Sequence, residues 1–203
     1  MDELEMKVRT AMAAMDRVSD EDPSRMEVGG RSVGAALLYA ERMSACLAEL
    51  VPDAGAALRL AVRAQHLGRF RLPRTSYPEG RVGYLAWRTE QARRHAALAR
   101  ECIEAAGLSV ELAERVAAIV QKKQRTSDPE AQALEDCACL VFLEHEMDAF
   151  VWPAAGPPKP EADMIAILRK TWRKMSPPAH TRALSLPLSP RCRALVERAL
   201  AAD

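Results

Sequence analysis

Apolar residues recur at helical spacing through most of the chain. Leu4, Val8, Met12, Met15 and Val18 share one side of a 3.6-residue spiral and predict a helix over residues 2–18. Residues 19–32 break the pattern with Pro23 and the Gly29-Gly30 pair and read as a loop. A second helix is expected over 35–51, ended by Pro52, and a third over 53–68, with Asp53 as its N-cap and Gly68 as its stop. Residues 69–80, with Pro73, Pro78 and Gly80, read as another loop before a long periodic segment over 83–107. Ser109 is placed to cap a helix over 110–123. Asp128 and Pro129 have the chemistry that opens a helix, here one over 130–151 that is apolar almost all round from Cys137 to Leu143. After the proline-rich stretch 152–160, helices over 161–175 and 189–202 flank the segment 176–188. No alternating run predicts a strand. The pattern therefore predicts an all-α, single-domain helical bundle of about eight helices. Its parts are an N-terminal helix and loop (1–33), a core (34–152) and a C-terminal helical extension (161–203).

Composition agrees with helix-on-helix packing. Of the 203 residues, 49% are hydrophobic but only 4% aromatic, so alanine, leucine and valine must supply the core. Five cysteines, an odd number without a CxxC pair, read as reduced thiols acting as small hydrophobes, which suits a cytoplasmic protein. The charged start MDELEMKVRT has no apolar signal region, and no run nears the ~18 apolar residues needed to span a bilayer.

Charge changes the picture more. The formal net charge is +1, yet residues 59–100 hold ten arginines, no lysine and two acids, while residues 126–158 hold seven acids and no Lys or Arg. Arginine without lysine suits bidentate contact with phosphate or carboxylate, and Arg69, Arg71, Arg74 and Arg88 are the candidates for holding a small phosphorylated or anionic molecule. Tyr77, Tyr84 and Trp87 lie among them. With a net charge near zero these rings read as pins for a loop rather than as a platform for nucleic acid.

Four histidines are candidates for chemistry. His66 follows Val62 by four residues, which puts both on one stripe of the third predicted helix. His95 follows Gln91, Arg88 and Tyr84 at helical intervals and continues towards Leu98, Ala99 and Cys102. Glu135 and Asp136 lead into the apolar helix, where uncompensated charge is costly; a metal ion or the arginines would be suitable partners. No G-x-S-x-G, P-loop or G-x-G-x-x-G motif occurs.

Several segments resemble the HD-domain metal-dependent phosphohydrolases: LLYAERM, AVRAQHLGR, HAALARECIEAAGL, VAAIVQKKQ and LEDCACLVFL, in chain order. A closer similarity, carried by PRTSYP, GYLAWR, LEDCACLVFLEH and ILRKTWRKMS, is to an uncharacterised domain-of-unknown-function family, number 4202; it covers nearly the whole chain and implies no particular reaction. The HD resemblance implies a bundle of HD type. In its register the opening histidine is replaced by Tyr39, the His-Asp doublet by Gln65-His66, and the His-His pair by Lys122-Lys123, while His95 and Asp136 keep the ligand type. It thus implies a single divalent ion (Zn, Mn or Fe) on His66, His95 and Asp136, with Glu135 and Asp136 as catalytic carboxylates and Gln65 or Glu135 steadying an imidazole. Arg71, Arg74 and Lys122 would hold a phosphate of a nucleotide or other small phosphoester, and Tyr39 would shape the pocket. The alternative is a metal-free binding or regulatory module for a phosphorylated or carboxylated ligand, because lysines at the His-His position repel a metal. A plainer reading makes His66 and Asp136 a hydrogen-bonded core pair and the lysines ordinary cations at a helix end.

Overall fold

The computed structural model describes residues 2–123 and 126–201, and among these the chain is all-α apart from one small hairpin. α1 (Glu3–Asp20) is capped by Asp2, whose carboxylate accepts from the Glu5 amide at 2.7 Å, and it buries Val8, Ala11 and Met15. Leu4, expected on the buried stripe, is exposed.

Two antiparallel strands follow, β1 (Arg25–Val28) and β2 (Arg31–Gly34), where the sequence reading expected only a loop. Gly29 and Gly30 both have positive φ, the backbone demanded by a two-residue hairpin turn, so this pair joins strands rather than merely breaking a helix. Asp20 accepts from the Gly34 amide at 2.7 Å, and Asp22 accepts from Ser24 and Ala36, fastening both feet of the hairpin.

α2 (Ala35–Leu50) buries Leu38, Tyr39, Met43 and Leu47. α3 (Ala56–Arg63) is shorter than expected at both ends: Gly55, not Asp53, is its N-cap, and the helix stops before His66. Two arginines of α3 tie it to α1. Arg59 grips Glu5 with two hydrogen bonds, at 2.8 and 2.9 Å, and Arg63 donates to Asp16 at 2.6 Å. α4 (Gly80–Ala105) begins three positions before its expected start, and α5 (Val110–Val120) is capped by Ser109 as expected. Asp128 accepts from the amides of Glu130 and Ala131 at the start of α6 (Pro129–Val141), again as the sequence implied.

The helix expected over 130–151 is interrupted. Phe142–Glu146 is a π-helical turn, and α7 (Met147–Val151) follows it. Beyond the proline-rich stretch come α8 (Glu161–Trp172), α9 (Pro177–Leu184) and α10 (Pro190–Ala201). The described residues thus hold ten α-helices against about eight expected: α9 is new, and α7 is split off by the π-turn.

The chain forms two compact units, Met1–Leu134 and Glu135–Asp203. Their boundary falls inside α6, not at the proline-rich stretch. Within the second unit, Arg169 of α8 donates to the Ala199 carbonyl and Arg198 of α10 pairs with Glu161. Trp172 and His180 stack at 4.1 Å, and the ring Nε2 of His180 bonds the Trp172 carbonyl. None of the five cysteines is in a disulfide. No helix among the described residues is long and apolar enough to cross a membrane.

Candidate functional site

The segment from Gln65 to Leu72 explains why α4 buries polar side chains. It is a succession of tight turns with one 3-10 turn at Arg69–Arg71, not an α-helix, and such backbone leaves carbonyls with room to accept from side chains. Three of them are answered by one stripe of α4. The Trp87 indole donates to Leu72 O at 3.0 Å, Gln91 donates to Arg69 O at 3.0 Å and Leu72 O at 2.9 Å, and His95 Nδ1 meets Leu67 O at 2.6 Å. Trp87, Gln91 and His95 are all buried, one turn apart. Tyr84 and Arg88, expected on the His95 stripe, are exposed instead.

Gly68 makes the close approach of this segment to α4 feasible. Its φ is +67°, and a Cβ there would lie 2.6 Å from the Leu98 side chain.

These hydrogen bonds decide the chemical state of the seam. A carbonyl can only accept, so His95 Nδ1 carries the proton and Nε2 presents a bare lone pair. The same logic turns the Gln91 amide: its NH₂ faces two carbonyls, leaving Oε1 on the other side. Both of these acceptors, and Oε1 of Gln65, are buried without a hydrogen-bond partner. Burial pushes the His95 imidazole down to about 4, with the charge of Arg69 adding to the shift and the Leu67 bond opposing it.

His66 stands in the same region, in the turn after α3 rather than on the helical stripe. Its ring stacks on Tyr39 at 4.1 Å and lies 6.1 Å from the ring of His95. Burial holds it neutral well below the usual histidine range, followed by the charge of Arg69, a smaller effect of His95, and the charges of Lys122 and Arg88. Three cations from three elements therefore bear on one neutral imidazole. Arg69 lies over Trp87 at 4.6 Å and Arg88 over Tyr84 at 5.7 Å. Lys122, at the C-terminus of α5, has φ +54°, a left-handed backbone that a residue with a Cβ adopts at a cost.

The other candidates serve elsewhere. Arg71 pairs with Glu21 at 2.5 Å. Arg74 donates to the carbonyls of Tyr77, Pro78 and Gly80 and closes that loop, so its guanidinium is spent on backbone. In the second unit, Asp136 accepts from the amide and hydroxyl of Ser176 at 2.8 and 2.6 Å, anchoring the start of α9, and Glu135 pairs with Lys174 at 3.3 Å. Lys123 is exposed.

Among the described residues no three His, Cys, Asp or Glu side chains gather as metal ligands would. The first unit offers two imidazoles, and the charges of Arg69, Lys122 and Arg88 add to the burial that keeps His66 neutral. Gln91 and Trp87 were not among the sequence candidates. Their partners are backbone carbonyls far along the chain, and the only signal in the sequence was a glutamine one helical turn before a histidine.

The sequence matches the family model described as Domain of unknown function (DUF4202) over residues 9–196. No curated protein and no solved structure matches it.

Proposed function

We propose, from the premise that the chain belongs to the DUF4202 family, that its first unit is a metal-free binding module for a small phosphorylated or carboxylated ligand. The reading is carried by the seam around His66, which stacks on Tyr39 at 4.1 Å and lies 6.1 Å from the ring of His95, with Arg69 over Trp87 at 4.6 Å; the charges of Arg69, Lys122 and Arg88 add to the burial that keeps His66 neutral. Guanidinium and ammonium groups beside a neutral imidazole suit an anion. The strained backbone of Lys122 supports the same reading, because a glycine there would be less costly and would carry no charge. An HD-type scaffold is part of the proposal, supported by the likeness of the segments carrying Tyr39, His66, His95 and Lys122. Five cysteines outside any disulfide support a reducing cytoplasmic setting.

The test is a thermal-shift titration with inorganic phosphate and citrate in the presence of chelator. Stabilisation that grows with ligand, is weakened by Arg69→Ala or Lys122→Ala and survives Arg71→Ala is expected. Absence of any shift overturns the binding module. A purified protein that holds near-stoichiometric divalent metal, lost in His66→Ala or His95→Ala, would instead sustain a mononuclear phosphohydrolase.

A further inference from the structure

A cavity opens in the first unit among α1, α2 and α3, and it shares no lining residue with the seam around His66. It measures about 380 Å³, within the range of small-molecule sites, roughly 300–1,000 Å³. Its walls follow from the sequence. Leu47, Val51 and Pro52 make the end of α2 apolar on this side, and the small side chains of Ser44 and Ala48 leave room that larger ones would fill. Met12 of α1 adds another apolar wall. From α3 come Arg59 and Arg63, whose bonds to Glu5 and Asp16 brace α3 against α1 beside the space.

Charge and hydrogen bonding narrow the occupant. Each guanidinium is neutralised by its own carboxylate, Arg59 by Glu5 and Arg63 by Asp16, so no surplus charge is left for an ion to answer. Arg63 spends the rest of its bonded edge on the Ala40 carbonyl and the Ser44 hydroxyl. A guanidinium with its edge committed still offers a flat face, which favours an aromatic ring. One polar atom of the lining is left over. Asp16 accepts from Arg63 through Oδ1, while its Oδ2 accepts no hydrogen bond among the described residues. That oxygen calls for a single N–H or O–H.

We propose that this cavity binds a small uncharged aromatic molecule carrying one N–H or O–H, with the ring against Met12, Leu47 and Val51 and the donor on Asp16. The inference is independent of the anion reading above.

The experiment uses the intact protein and indole, followed by calorimetric titration and by nuclear Overhauser effects between indole and protein. Saturable binding is expected, with contacts from the ring protons to the methyl groups of Met12, Leu47 and Val51. 1-Methylindole, which lacks the N–H, should bind about tenfold more weakly. 3-Methylindole, with the same added methyl and the N–H kept, should bind as indole does. Ala48→Trp fills the cavity from an exposed position, so it should abolish indole binding while leaving the thermal midpoint near that of the parent. Absence of saturable indole binding overturns the proposal, as do contacts to residues outside the cavity or unchanged binding in folded Ala48→Trp. Equal affinity for the two methylindoles overturns the role given to Asp16.

Discussion

Two buried polar clusters in this protein obey opposite rules. In the second unit, the Asp136 carboxylate takes the Ser176 amide and hydroxyl, and the neighbouring Glu135 meets Lys174. In the first unit, Gln91 and His95 use every donor they have and leave their acceptors open. The first arrangement is complete and holds a helix start in place. The second is half complete, its donors used and two acceptors left over. Burial of a polar residue is therefore a poor guide to function by itself; the useful question is which of its atoms remain unanswered.

The contrast can be broken first at its stable side. Asp136→Ala strips two charge-assisted hydrogen bonds from the start of α9 and leaves a half-buried amide and hydroxyl without this partner. A loss of about 4 kcal/mol in unfolding free energy is expected from urea denaturation. A change below about 1 kcal/mol would mean that the carboxylate is not the anchor.

Acid should act on the other side. His95 is neutral when folded, with its pKa brought from 6.5 to about 4. Between those values the unfolded chain binds a proton that the folded chain refuses, so stability is fully present above about pH 6.5 and falls as the pH drops towards 4. The loss attributable to His95 is on the order of 3 kcal/mol, and His66, shifted the same way, adds to it. Unfolding midpoints measured across this window should slope downward towards acid, and His95→Gln should flatten the slope. A flat profile in the parent protein would show that the seam is open to water and protons.

The smallest effect sharpens the comparison most. Lys122→Gly relieves the left-handed backbone and is expected to raise stability by about 1 kcal/mol while weakening phosphate binding. Thermal melts and phosphate titrations on the same variant check both halves. A variant that is less stable, or that binds phosphate as the parent does, would show that the lysine is there for packing.

Much of the helical frame is legible from local rules. Ser109 and Asp128-Pro129 announce α5 and α6 because capping is settled within three residues. The hairpin escaped notice because β1 and β2 have four residues each and alternate poorly, so the Gly29-Gly30 turn was the only strong signal. α9 lay in the segment 176–188 that was given no element, although Pro177 and Pro178 are well suited to a first helical turn. The π-turn at Phe142–Glu146 leaves no mark in an apolar run that stays hydrophobic on every face. In the site, His66, His95 and Gln65 were visible as unusual residues on apolar segments. The partners of Arg71 and Arg74, Glu21 and three loop carbonyls, could not be read because they are set by the folded chain and not by spacing. Gln91 was passed over for the same reason.

Arg74 has one more bearing on how the molecule behaves. The opening turns of α4 have no side-chain cap and present Val82 and Leu85 to solvent, so little in that stretch resists fraying. By stitching the carbonyls of Tyr77, Pro78 and Gly80 together, a single guanidinium acts as a splint across the rim from which α4 descends. Amide protons along the first turns of α4 should exchange with solvent far sooner once that splint is removed, while those around Gln91 and His95 keep their protection.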